Sequence, residues 1–175
     1  SPTTSRPTST FSAVPGSSRV YRGGVGAYEN SVKLQFLGVS AETLSVHGAV
    51  SEAVAREMAD GASRILEADA AVAVTGIAGP GGGTAGKPVG TVWIAVSWRG
   101  RVRAFTHVLP GGRDAVRRRA AQWALDHLRR TVGANLGLRS GASSLPVIST
   151  FSDHNLGRFH ARGRRARAKR RRDVD

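Results

Sequence analysis

The chain has 175 residues, enough for one domain with its own core, and its 40% hydrophobic content is ordinary for a folded protein. It contains no cysteine, which excludes a disulfide framework, thiolate catalysis and cysteine-built zinc sites. The formal net charge is +14; no apolar run is long enough to span a bilayer and no apolar leader opens the chain, so the sequence predicts a cytoplasmic protein with no membrane contact.

The charge is unevenly placed. Residues 139–175 hold ten Lys/Arg against three Asp and finish in "RGRRARAKRRRDVD". That composition predicts a basic, disordered, solvated tail, through which alone nucleic acid would be a partner, by salt-dependent attraction. No aromatic residue follows Phe159, so the terminal run offers no platform for stacking bases.

The opening "SPTTSRPTSTFSAV" is rich in Ser, Thr and Pro without periodicity, so residues 1–12 read as an irregular segment and residues 13–138 as the domain. "SSRVYRGGVGAY" has β character interrupted by Gly23 and Gly24 in a bend or bulge. "ENSVKLQFLG" predicts a short helix ending at Gly38. Ser51 is placed to cap "EAVAREMADGASRIL", whose Val54, Met58, Ala62, Ile65 and Leu66 fall on one face at helical spacing. "AAVAV" at 70–74 is a small and β-branched run, as in a strand covered on both faces. "GTVWIAVSW" and "RVRAFTHVL", joined by Arg99-Gly100, predict a β-hairpin. A final helix, "RDAVRRRAAQWALDHLRR", carries a buried stripe of Val116, Ala120, Trp123, Ala124 and Leu128. Together these elements predict an α/β protein, a layered sandwich around a mixed sheet.

Between the buried strand and the hairpin lies "TGIAGPGGGTAGKPVG", and within it G-x-x-x-x-G-K from Gly81 to Lys87. A phosphate cradle of that pattern needs a hydroxyl residue after the lysine and a helix beginning there. Here Pro88 follows Lys87 and the chain continues as a strand, so the nucleotide-triphosphate reading fails. What remains is a loop poor in side chains at the C-terminal end of a buried strand, either a ligand loop or a flexible surface turn.

The stretch "TGIAGPGGGT…KPVGTVWIAV" resembles the signature of the CinA C-terminal domain family, the bacterial nicotinamide-nucleotide amidohydrolases. The resemblance extends upstream through "VPGSSRVYRGGVGAYENSVKLQFLGVSAETLSVHGAVSEAVAREMADGA" and downstream through "PGGRDAVRRRAAQWALDHL". It implies hydrolysis of the carboxamide of nicotinamide mononucleotide to nicotinic acid mononucleotide and ammonia, without metal or cofactor, by a Ser/Lys mechanism. It also implies self-association.

Carried over residue by residue, the family's Tyr-x-x-x-x-Lys segment matches "YENSVK", giving Lys33 as the base and Tyr28 as its assistant. Thr75 and Gly76 match the ligand-contacting loop, and Arg113 the phosphate-facing arginine. Counting back from "VPGSS" brings the family's serine onto Ser1, although Pro2 replaces the expected cysteine and Thr4-Ser5 the two glycines. Pro7 stands inside the helix expected next, where it costs about 3 kcal/mol. The family's first strand and helix have no counterpart ahead of Ser1, which predicts an uncovered sheet edge and a partner chain to cover it. Residues taken alone support a second function, a binding module using a nucleotide pocket or the basic tail. The histidines at 47, 107, 127, 154 and 160 show no metal-ligand spacing, and Trp93, Trp98 and Trp123 read as core.

Overall fold

The computed structural model describes residues 19–136 and the backbone of 149–153. Ser1, the irregular segment 1–12 and the basic run after residue 153 lie outside the described residues.

The first regular element is α1, Asn30–Gln35, and Gly38 follows it with φ +66°, as its sequence predicts. The segment before it is not the anticipated strand. Only Gly26 forms an isolated bridge, and Gly23 at φ +151° lies in a conformation that side-chain-bearing residues rarely take.

A second helix, α2 (Ala41–His47), was not legible in advance, although its start is a regular cap: the Ser40 hydroxyl accepts from the Thr43 amide at 2.9 Å. Helix α3, Glu52–Ile65, begins where expected, with the Ser51 hydroxyl accepting from the Val54 amide at 3.3 Å. Val54, Met58 and Ala62 are buried, whereas Ile65, predicted to join them, lies 47% exposed at the last residue of the helix.

The sheet has four strands in the order β3-β2-β1-β4: β1 is Ala70–Gly76, β2 Thr91–Trp98, β3 Arg101–Val108 and β4 Ser149–Asp153. β1 is antiparallel to β2 and parallel to β4, so the sheet is mixed as predicted. The hairpin closes through Arg99 and Gly100 with φ +46° and +78°, the paired positive dihedrals of a two-residue turn that follows strand twist. The tail is thus not wholly outside the fold. Its Ser149–Asp153 pairs in parallel along β1 from Val72 to Gly76, which makes β1 an inner strand of the sheet.

Alternation along the strands divides the core into two unlike layers. Val72, Val74, Val92, Ile94, Val96 and Trp98 face α4 (Arg113–Leu136), which answers with Val116, Ala120, Ala124, Leu128 and Val132. Each such branched side chain contributes about 1.5–3 kcal/mol on burial. The opposite face presents Ala71, Ala73 and Ala95, and against these small residues α3 lays Ala55, Met58, Ala59 and Ala62. The result is an α/β/α sandwich. No described helix is long and apolar enough to cross a membrane.

Gly61 marks the closest approach in the α3 layer, because a Cβ there would overlap the Leu37 carbonyl. Gly61→Ala is expected to destabilise the fold by about 1–3 kcal/mol, an overpacking cost readable as a lower denaturant midpoint with unchanged slope.

Trp123 is 39% exposed rather than in the core. Its ring stacks on His107 with centroids 4.4 Å apart, and His107 Nε2 lies 2.8 Å from His127 Nε2, while Phe105 stacks on His127 at 3.8 Å. Spacing in the sequence did not bring the two histidines together; β3 and α4 do. One proton bridges such a pair, and a second would set like charges against each other. Burial holds both imidazoles below the ordinary 6.5; for His127 the charge of His107 adds to it and Asp126 opposes it. Because the folded values are depressed, the folded chain takes up fewer protons than the unfolded one as pH falls. Stability is therefore expected to hold above about pH 7 and to fall as pH drops below 6.5, the ordinary imidazole value, with a shallower fall in His127→Phe, measured by urea unfolding.

Candidate active site

Lys33 sits in the middle of α1, the only basic residue in its last turn, and its side chain is fully buried. A lysine takes that position only where something offsets the loss of water around its charge. Among the described residues no carboxylate does so. Nζ donates to Asn30 Oδ1 at 3.0 Å, one turn earlier on the same helix. Burial brings the amine down from 10.5 to about 8, so near neutral pH a useful fraction is unprotonated.

Tyr28 precedes the helix and is 45% exposed. Among the described residues no hydrogen bond joins it to Lys33; the two predicted partners lie in one short segment. Ser1 lies outside the described residues.

Thr75 and Gly76 end β1, and each has a structural duty there. The Thr75 hydroxyl, fully buried, donates to the Ala49 carbonyl at 2.7 Å and ties the strand end to the α2–α3 link. A Cβ on Gly76 would stand 2.9 Å from Val92 Cγ2 and 3.1 Å from the Thr91 carbonyl, so the close approach of β1 and β2 requires glycine. Alternation puts Thr75 on the same face as Ala71 and Ala73, the face that also receives Ala27 and Leu37 on either side of Lys33 in sequence.

The loop that follows is anchored rather than slack. The Ile77 amide donates to the Thr91 carbonyl at 2.9 Å and the Gly90 amide to the Ile77 carbonyl at 2.7 Å, closing its base. Thr84 and Lys87 exchange backbone hydrogen bonds at 2.9 and 3.2 Å, making its tip a tight turn. Lys87, the residue that suggested a phosphate cradle, donates from Nζ to the His47 carbonyl at 2.9 Å. It neutralises the carbonyl end of α2 instead. The flexible-turn alternative loses its main support.

Arg113 opens α4 on the far side of the sheet and donates from Nη1 to the Gly79 carbonyl at 3.3 Å. The loop leaving β1 is thus held from both helical layers, by Arg113 on one side and the His47–Ala49 link on the other. Ligands of α/β sheets bind at this end of the strands. Residues missed by sequence reasoning are Asn30, Ala49 and His47, the last two acting through backbone carbonyls that carry no side-chain signal.

The described residues thus hold a buried amine with a lowered pKa on α1 and, at the C-terminal end of β1, a glycine-rich loop anchored from both helical layers. The chain belongs to the CinA C-terminal domain family, whose model matches residues 1–132. It is 55% identical over 127 residues to a CinA-like protein of Gemmatimonas aurantiaca, covering 73% of this chain and 30% of that protein. A putative competence-damage inducible protein of Symbiobacterium thermophilum is 54% identical over 126 residues, 67% of this chain and 30% of the relative. The chain thus spans under a third of these relatives' length.

Solved structures agree. The competence damage-inducible protein A of Klebsiella pneumoniae superposes with a TM-score of 0.70 at 37% identity over 73% of this chain and 79% of that one. The protein CihA of Agrobacterium tumefaciens gives 0.68 at 42% identity over 71% and 76%.

If Lys33 is kept for chemistry, the fold gains by losing it. The shift from 10.5 to about 8 corresponds to a burial cost of roughly 3 kcal/mol at neutral pH. Lys33→Met is accordingly expected to raise unfolding free energy at pH 7 by a sizeable part of that, measured by denaturant melts. A lowered stability would assign Lys33 a structural role.

Proposed function

We propose that this domain hydrolyses the carboxamide of nicotinamide mononucleotide, releasing ammonia and leaving nicotinic acid mononucleotide. The observation that carries the reading is the buried Lys33 amine, brought to about 8 without any acidic partner among the described residues.

An amide carbonyl is a weak electrophile, so a hydroxyl attacking it must give up its proton as the bond forms. The neutral Lys33 amine accepts that proton. The carbonyl becomes tetrahedral, its oxygen takes the negative charge, and amides of the loop after Gly76 are donors of the kind that stabilise it. The Lys33 ammonium then returns the proton to the departing nitrogen, which leaves as ammonia. Water repeats the sequence on the acyl ester, again with Lys33 as base, and the carboxylate is released. The resemblance points to Ser1 as the hydroxyl and to Tyr28 as a proton donor beside it. Arg113, whose planar fork suits phosphate, supplies positive charge for the nucleotide's phosphate.

The departures from the family pattern at Pro2 and Thr4-Ser5 support a second reading, a nucleotide-binding module without turnover. Ammonia release from nicotinamide mononucleotide decides between them. Turnover abolished by Lys33→Met supports the enzyme; nucleotide binding with no ammonia, in protein of native circular dichroism, supports the module.

Two further outcomes follow from the enzyme reading. The log of kcat/KM is expected to rise with pH and level off through a midpoint at about 8, the value of the free enzyme's base. Arg113→Gln is expected to lower kcat/KM for the mononucleotide by roughly ten- to a hundredfold, the worth of a hydrogen bond to a charged group. The riboside lacking the phosphate controls for loop damage: an equal loss on both substrates would remove Arg113 from phosphate binding.

A further inference from the structure

The amidohydrolase reading leaves open what aims a flexible four-carbon amine, and α1 supplies an answer. The helix has six residues, too short to hold itself together by backbone bonds alone. Its N-cap is Glu29, which makes no side-chain capping bond. Asparagine is a poor interior helix former and earns its usual place at a cap by bonding backbone amides. Asn30 sits just inside the cap and does something else: its Oδ1 accepts from Lys33 Nζ at 3.0 Å. The acid nearest in sequence, Glu29, is exposed, and its Oε2 accepts from the Ser31 hydroxyl at 3.3 Å. Among the described residues the lysine amine therefore meets a neutral acceptor where a carboxylate would ordinarily be expected.

The choice of an amide has consequences for a base. A neutral amine has two N–H bonds and one lone pair, arranged tetrahedrally. Committing one N–H to Oδ1 restricts the amine's rotation and keeps the lone pair in the two tetrahedral positions that point away from Asn30. A carboxylate at the same place would hold the amine equally well, but would favour the ammonium and occupy the proton the reaction must move. A residue with no acceptor would leave the amine to rotate, at a cost in the fraction of encounters that are productive.

We infer that Asn30 is a positioning residue for the Lys33 base, restricting the amine's rotation through a neutral acceptor and thereby keeping its lone pair available. This rests on the amidohydrolase reading for its catalytic consequence, though not for the geometry itself.

The test compares Asn30→Ala and Asn30→Asp with the unaltered chain. Asn30→Ala is expected to lower kcat about tenfold with KM changed less than about twofold, since the acceptor does not touch the substrate. Asn30→Asp keeps the acceptor oxygen and adds a charge, so its pH–rate limb is expected to move up by one pH unit or more, with activity recovering at the alkaline end. An unchanged kcat in Asn30→Ala, or an unmoved limb in Asn30→Asp, overturns the inference.

A second measurement needs no turnover. With Lys33 at about 8 when folded and 10.5 when unfolded, the unaltered chain gains stability as pH rises from about 8 to 10. Asn30→Asp is expected to abolish that gain, because its ion pair restores the charged lysine. If the unaltered chain releases no ammonia but this difference is found, the amidohydrolase reading fails and the positioning of the amine stands. Parallel stability curves would sink the positioning claim even in an active enzyme.

Discussion

A buried amine whose one described partner is neutral is the constraint on which the candidate site depends. Lys33 is fully buried, and its partner among the described residues is a neutral amide. Burying a charge without a counter-charge is among the costliest things a fold can do, and proteins ordinarily escape it by giving up the proton. That escape is what converts a lysine, a poor base at neutral pH when solvated, into one poised to take a proton. On the proposed amidohydrolase reading the fold carries that cost in exchange for reactivity, as expected where stability and function compete.

The scaffold carries this cost because its two layers are built differently. The branched residues facing α4 supply the thick, conventional core. The alanine face lets α3 settle close to the sheet, and the segment Ala27–Val39 that bears Lys33 packs into the same layer. The end of β1 belongs to both. Thr75 is tied to Ala49, Lys87 to the end of α2, and Gly79 to Arg113 of the opposite layer, so the glycine-rich ribbon is clamped at several points. The clamps give that loop a fixed shape, and on the proposed reading its glycines leave room for a ligand's approach.

Much of this was legible in the residues. Ser51 as a cap, the continuous apolar run of β1 and the Arg99-Gly100 turn each carry a local signal with one physical reading, and each was recovered. The rejection of the phosphate cradle from Pro88 also held, since the loop runs on into β2. What escaped was set by tertiary context. β4 came from a segment dominated by charge, and only its pairing with β1 reveals it. α2 was lost between stronger neighbours. Trp123 reads as a core residue by helical spacing, yet the histidine pair beneath it holds it at the surface. Ile65 follows the same spacing but is the last residue of its helix and stays exposed. At the site, Lys33 and Arg113 were reached by resemblance, but spacing alone gave no hint that the lysine would be buried, nor that Asn30 would be its partner.

The central claim is that Lys33 titrates as a base near neutrality, and it is open to direct measurement. The chain has three lysines, at 33, 87 and 169, so a carbon-13 label on the lysine ε-carbon gives few NMR signals, with Lys33 assigned by its loss in Lys33→Met. The account predicts that this signal shifts through a midpoint at about 8 as pH is raised. A midpoint at the ordinary lysine value of 10.5 would contradict it and leave the buried amine without a chemical purpose.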